Sequence, residues 1–162
     1  MSRLERFREA QSSERAGFAA ALAELRSGGK QGHWIWYVFP QIEGLGTSGM
    51  TQAFALDENE AAEYLRDNEL RSRLLTITEV VADQLRSGRV SSLPSLMGSD
   101  IDARKIVSSM TLFAHVARRL HDVEGLDAYA AVADVADDVL AIAAAQGYPP
   151  CAHTLRRLRQ TS

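Results

Sequence analysis

The sequence predicts an all-α protein, an irregular multi-helix orthogonal bundle in a single domain. Three observations lead there. Two long stretches carry apolar residues at every third or fourth position, Gly and Pro stops punctuate the chain at helical lengths, and no run alternates apolar with polar residues as a half-buried strand does. A chain of 162 residues can bury a core without disulfides or metal.

The elements follow in order. Leu4 and Phe7, set among Glu5 and Arg6, make a first short helix. Ser12 or Ser13 is expected to cap a second, which carries Phe18, Leu22 and Leu25 and stops at Gly28-Gly29. These N-terminal helices occupy 1–30, an aromatic block and a glycine loop occupy 31–56, and a helical core occupies 57–162. After a brief segment with Met50 and Phe54, Asp57 is a good N-cap, with Glu58 and Glu60 in the first turn of a helix ending near Asp67-Asn68. From Glu69 to Ser87, Leu70, Leu74, Ile77, Val81 and Leu85 form one apolar stripe, and Gly88 stops it. Ser92 and Pro94 start a short helical turn at Leu93–Met97 before Gly98. Asp100 opens the central helix, predicted to reach about Leu120. An alanine-rich helix then runs from about Leu126 to Gln146, with a wide apolar arc and Asp127, Asp134, Asp137 and Asp138 opposite it. Gly147 and Pro149-Pro150 end it, and Ala152 to Arg159 form a last short helix.

The stretch His33-Trp34-Ile35-Trp36-Tyr37-Val38-Phe39-Pro40-Gln41 holds both tryptophans of the chain. Propensity favours a strand here, but no second run of this kind exists to pair with it, so a short buried helix stopped at Pro40 is preferred. Behind it, Gly44-Leu45-Gly46-Thr47-Ser48-Gly49 is a flexible loop able to bring backbone N–H groups to a ligand. On the central helix, placed at about 100° per residue, Asp102 and Ser109 fall inside the apolar arc and Lys105 lies at its margin. Burying such groups unpaired costs about 2 kcal/mol or more, so they need partners. One reading pairs Asp102 with Lys105 and bonds Ser109 back to a backbone carbonyl. The other places the stripe across a cavity from His33. There, His33, Asp102 and Lys105 would be the catalytic candidates, with Trp34, Trp36, Gln41, Gly44, Gly46, Ser48, Ser108 and Ser109 binding the ligand.

Composition limits the alternatives. A formal charge of −3 and a pI near 5.8 argue against a nucleic-acid binder. No segment approaches the roughly 20 apolar residues of a membrane span, and the N-terminus is charged from the start with no signal-like apolar stretch. The single Cys151 excludes an internal disulfide, which suits a reducing cytoplasm. Pro149-Pro150-Cys151 reads as a turn into the last helix, with only His153 near as a base. His115, His121 and His153 fit no metal-ligand spacing, so no metal and no cofactor is expected.

Leu4-Glu5-Arg6-Phe7, Gly32-His33-Trp34-Ile35-Trp36-Tyr37-Val38-Phe39-Pro40-Gln41, Gly44-Leu45-Gly46 and Ser108-Ser109-Met110-Thr111-Leu112-Phe113 together resemble the bacterial domain-of-unknown-function family 1810, sometimes labelled calpastatin-like. The resemblance implies an all-α fold and a small cytosolic protein of a family with no established activity. The label carries no functional weight, because a calpain inhibitor is a disordered chain and this composition is globular. The tail departs from the family, with His153 standing where an Asp commonly precedes Thr-Leu. A fainter likeness, over Glu60 to Leu75, is to glycosidases that process NAD and ADP-ribose. Together these readings suggest binding or hydrolysis of a small polar or phosphorylated molecule, nucleotide- or ADP-ribose-derived, by a monomer or weak homodimer. The rival reading is a non-catalytic interaction protein with the aromatic block as pure core and the Asp127–Asp138 face as its docking surface.

Overall fold

A computed structural model describes residues 3–161. Met1, Ser2 and Ser162, and with them the start of the charged N-terminus, lie outside the described residues. These form ten helices and no strand: α1 Glu5–Gln11, α2 Phe18–Arg26, α3 Ile35–Val38, α4 Gly49–Phe54, α5 Glu58–Arg66, α6 Asn68–Arg86, α7 Leu93–Met97, α8 Asp100–Glu124, α9 Asp127–Ala145 and α10 Ala152–Thr161. The expected all-α bundle is the fold observed. No described helix is long and apolar enough to cross a membrane.

The centre is α8. One side is buried almost continuously from Ala103 to Leu120, against α9 along its length and against α5, α7 and α10. The stripe Leu70, Leu74, Ile77 and Val81 of α6 is buried as its spacing requires. Several caps match the residues that predict them. Asp57 forms a capping box with Glu60, and Ser92 accepts from the Ser95 N–H.

Two boundaries differ from expectation. The N-cap of α2 is Gly17, not Ser12 or Ser13, and it makes no side-chain bond; any Cβ at Gly17 would run into the carbonyls of Ser13 and Gln11, so the chain turns tightly before entering the helix. Helix α8 continues past Leu120 to Glu124, because the break comes from Gly125 at φ +74° and not from the charges before it.

The aromatic block forms the short helix α3, and Pro40 follows it. It is fastened by one carboxylate. Oε1 of Glu24 on α2 accepts from the Gln31 N–H at 2.6 Å, the Gly32 N–H at 2.7 Å and the Trp34 indole at 3.0 Å. On the far side, Gln11 donates to the Tyr37 carbonyl at 2.8 Å and to the Tyr64 hydroxyl at 3.0 Å. A single bridge between Ile42 and Leu56 closes the glycine loop at its base.

Candidate functional site

The polar stripe of α8 and the aromatic block do meet, through a residue the sequence did not single out. The Asp102 carboxylate lies 2.7 Å from the Lys30 ammonium and 3.8 Å from that of Lys105. Each lysine also stands over an indole, Lys30 at 5.2 Å from Trp34 and Lys105 at 4.8 Å from Trp36. Lys30 is only 7% exposed and donates its third contact to the Gly32 carbonyl at 2.7 Å. Its charge is therefore matched by Asp102, and the expected Asp102–Lys105 pair is the weaker of the two. Burial raises the Glu24 pKa, but the N–H groups of Gly32 and Gln31, the Trp34 indole and the nearby Lys30 outweigh it and hold the carboxyl below its usual range.

Other predicted site residues fall elsewhere. His33 is exposed, so the expectation of a buried imidazole is corrected: the chain turns at Gly32 to send Trp34 inward, which leaves His33 outside. Trp34 is fully buried and Trp36 half-buried. Beside Trp36 and Gln41 there is free volume of about 10 Å³, room for about one water. Ser109 is fully buried and its hydroxyl finds no partner among the described residues, so the expected bond to a backbone carbonyl is not made. Ser48 caps α4 through the Thr51 N–H at 3.1 Å, and Gly46 packs on Thr51. Gly44, at φ +92°, lies against the His153 ring, whose Nε2 is 3.1 Å from the Glu43 carbonyl; Arg157 reaches the Glu43 carboxylate at 2.6 Å. The glycine loop is thus docked on α10.

That docking closes one wall of a cleft of about 340 Å³. Helix α8 supplies Arg104, Val107 and Ser108, the glycine loop supplies Leu45, and the segment after α9 supplies Tyr148, Pro149, Pro150, Cys151 and Ala152. Its lining is mainly apolar, with a cationic side and a thiol. Arg104 Nε donates to Asp100 at 3.0 Å and its guanidinium stands 5.5 Å from the centre of the Tyr148 ring, while the Tyr148 hydroxyl donates to the same carboxylate at 2.5 Å. These bonds from Tyr148 and Arg104 hold the Asp100 carboxyl below its usual range. Cys151 is the N-cap of α10: its carbonyl accepts from Leu155 at 3.1 Å, and its own N–H donates to Thr111 Oγ1 at 3.1 Å. A depression of about 390 Å³ on α6 is lined by side chains of both signs, among them Arg26, Glu79, Asp83 and Arg89, and by none of the predicted residues. No cluster of His, Cys, Asp or Glu able to hold a metal occurs among the described residues.

Residues 1–136 match a family described as protein of unknown function (DUF1810). The chain belongs to DUF1810. A solved structure, the crystal structure of the conserved hypothetical protein Rv1873 from Mycobacterium tuberculosis, is similar over 94% of each chain, with a TM-score of 0.69 and 30% sequence identity. No match was found among curated proteins. The DUF1810 match thus covers the aromatic block, the glycine loop and α8, and it stops short of the wall formed by residues 148–152. Of the residues that line the cleft, the sequence pointed to Ser108 and to the glycine loop. It missed Arg104 and Tyr148 and read Cys151 as part of a turn. The spacing of Asp100, Arg104 and Ser108 at i, i+4 and i+8 was the signal available for the first.

Proposed function

We propose that the protein binds a small molecule with an apolar body and an anionic group in the cleft between α8, the glycine loop and the 148–152 segment. The observation that carries this reading is the cleft itself: about 340 Å³, within the roughly 300–1,000 Å³ range of small-molecule sites, mainly apolar, with one guanidinium in its wall. Arg104 suits a carboxylate or phosphate, and Tyr148 offers a ring face to a flat group. Nucleotide-derived molecules, ADP-ribose derivatives among them, combine those features. The lining contains no carboxylate and no imidazole, so binding is favoured over hydrolysis by a general acid and base. The interaction-protein reading is weakened at its proposed face, since Asp137 is bridged by Arg118, and Asp138 by Arg86 at 2.9 Å.

A thermal-shift panel of nucleotides, sugar phosphates and ADP-ribose derivatives tests the proposal. A ligand at 100 times its Kd stabilises the folded state by about 2.7 kcal/mol, or roughly 5–10 °C for a domain of this size. Ala152→Trp, at an exposed position in the wall, fills the cleft at little cost to the fold and abolishes the shift. His33→Ala leaves it intact. A panel without any shift, or a shift that survives Ala152→Trp, refutes the reading.

A further inference from the structure

The depression of about 390 Å³ on α6 shares no lining residue with the cleft, and its chemistry differs. Val80 is the one apolar residue of its lining, and four others are charged, two of each sign. Glu79 and Asp83 stand one turn apart on α6, Arg26 ends α2, and Arg89 follows the Gly88 stop. None of the four makes an ion pair among the described residues, and the side chains of Arg26, Glu79 and Asp83 make no hydrogen bond there either. Elsewhere the same helix pairs its charges: Arg73 meets Glu69, and Arg86 meets Asp138, both at 2.9 Å. Opposite charges that share one depression and stay apart leave room for a ligand that carries both signs.

One buried amide holds the cationic side in place. Gln84 is 5% exposed and donates to the Leu25 and Arg26 carbonyls at 2.7 and 3.0 Å, which ties it to the end of α2. Its oxygen accepts from Arg89 Nε at 2.7 Å, and the Val90 N–H returns to the Gln84 carbonyl at 3.2 Å. Arg89 is therefore tethered on both sides of its Cα, and the terminal nitrogens of its guanidinium make no hydrogen bond among the described residues. A guanidinium fixed at Nε keeps its terminal donors for an anion, and a carboxylate matches their geometry.

We propose that this depression binds an amino acid zwitterion whose ammonium stands several bonds from its carboxylate. Arg26 and Arg89 take the carboxylate, Glu79 and Asp83 take the ammonium, and the aliphatic chain between them lies over Val80. A ligand with a single charge satisfies one side of the depression and leaves the other as it was. The span follows from the host, because its own opposite charges are too far apart to pair.

The test titrates 4-aminobutyrate into the isotope-labelled full chain and follows the amides by NMR, with butyrate and butylamine as one-charge counterparts. Saturable shifts are expected at Arg26, at Thr76 to Gln84 and at Arg89. Each counterpart should bind weaker by about tenfold or more, since it lacks one of the two charged contacts. Arg89→Met and Asp83→Asn, both at exposed positions, should each weaken 4-aminobutyrate by about fivefold or more with an unchanged urea midpoint. Ala152→Trp, which fills the cleft, should leave the titration as it is. Butyrate binding as tightly as 4-aminobutyrate, shifts confined to the cleft amides, or a titration that one of the two charge variants leaves unchanged overturns the inference. So does the lack of any saturable shift.

Discussion

Removing Lys30 should cost far more stability than removing Lys105, although the spacing on α8 points to Lys105 as the partner of Asp102. Lys30 and Asp102 are 7% and 17% exposed and 2.7 Å apart, whereas Lys105 is 23% exposed and 3.8 Å away. Breaking a buried pair costs about 3–5 kcal/mol, since one charge is left without a partner. Asp102 retains some water and the distant Lys105, so the lower end applies, and Lys30→Met should cost about 3 kcal/mol. That corresponds to roughly 6–12 °C in Tm for a chain of this length. Lys105→Met keeps the aliphatic stem over Trp36 and loses only a weak, half-exposed interaction, about 1 kcal/mol or less. Asp102→Ala should be at least as damaging as Lys30→Met, because it strands the more deeply buried ammonium. Urea unfolding of the variants and of the Lys30→Met/Asp102→Ala double variant checks this, the double costing clearly less than the sum of the singles. Equal losses for Lys30→Met and Lys105→Met would refute the assignment.

Further outcomes follow from the same geometry. The Glu24 carboxyl is held below its unfolded value of about 4.3, so its contribution is complete above that pH and is lost as pH falls through the folded value. Glu24→Gln, whose amide oxygen can still accept, should therefore be less stable than wild type at neutral pH, with the difference narrowing in acid; a pH-independent difference contradicts this. Gly44→Ala forces a Cβ to about 3.1 Å from the His153 ring at φ +92° and should cost about 1–3 kcal/mol in urea unfolding. An unchanged midpoint would show that the loop is not docked on α10. Ser109→Ala removes a buried hydroxyl without a partner among the described residues and should be neutral or stabilising by up to about 1 kcal/mol, whereas a loss above that would reveal a bond the structure does not contain.

Much of the fold was legible because its determinants are local. The capping box Asp57–Glu60, the stripe Leu70 to Val81 and the Gly98 stop each act within a few residues of themselves. The cap of α2 was misread because what decides it is the close approach of Gly17 to two carbonyls, not a side-chain donor or acceptor. Lys30 could not be matched to Asp102 from spacing, since the two are brought together only by α2, the Glu24 clasp and α8 acting jointly. The cleft was harder still. Its walls come from around residues 45, 104–108 and 148–152, which are far apart in sequence, and only the middle stretch, on α8, carries a periodic signal. The turn expected at Pro149-Pro150 lies instead at Gln146-Gly147, and the non-helical segment that follows sets Tyr148 and Cys151 opposite α8.

The most direct test of ligand binding in the cleft is an amide-resolved NMR titration with whichever compound gives the largest thermal shift. Shifts concentrated at Leu45, Arg104 to Ser108 and Tyr148 to Ala152, skipping the two prolines and saturating at one ligand per chain, are the predicted result. Shifts centred on His33 and the exposed end of α3, with the cleft amides unmoved, would contradict it.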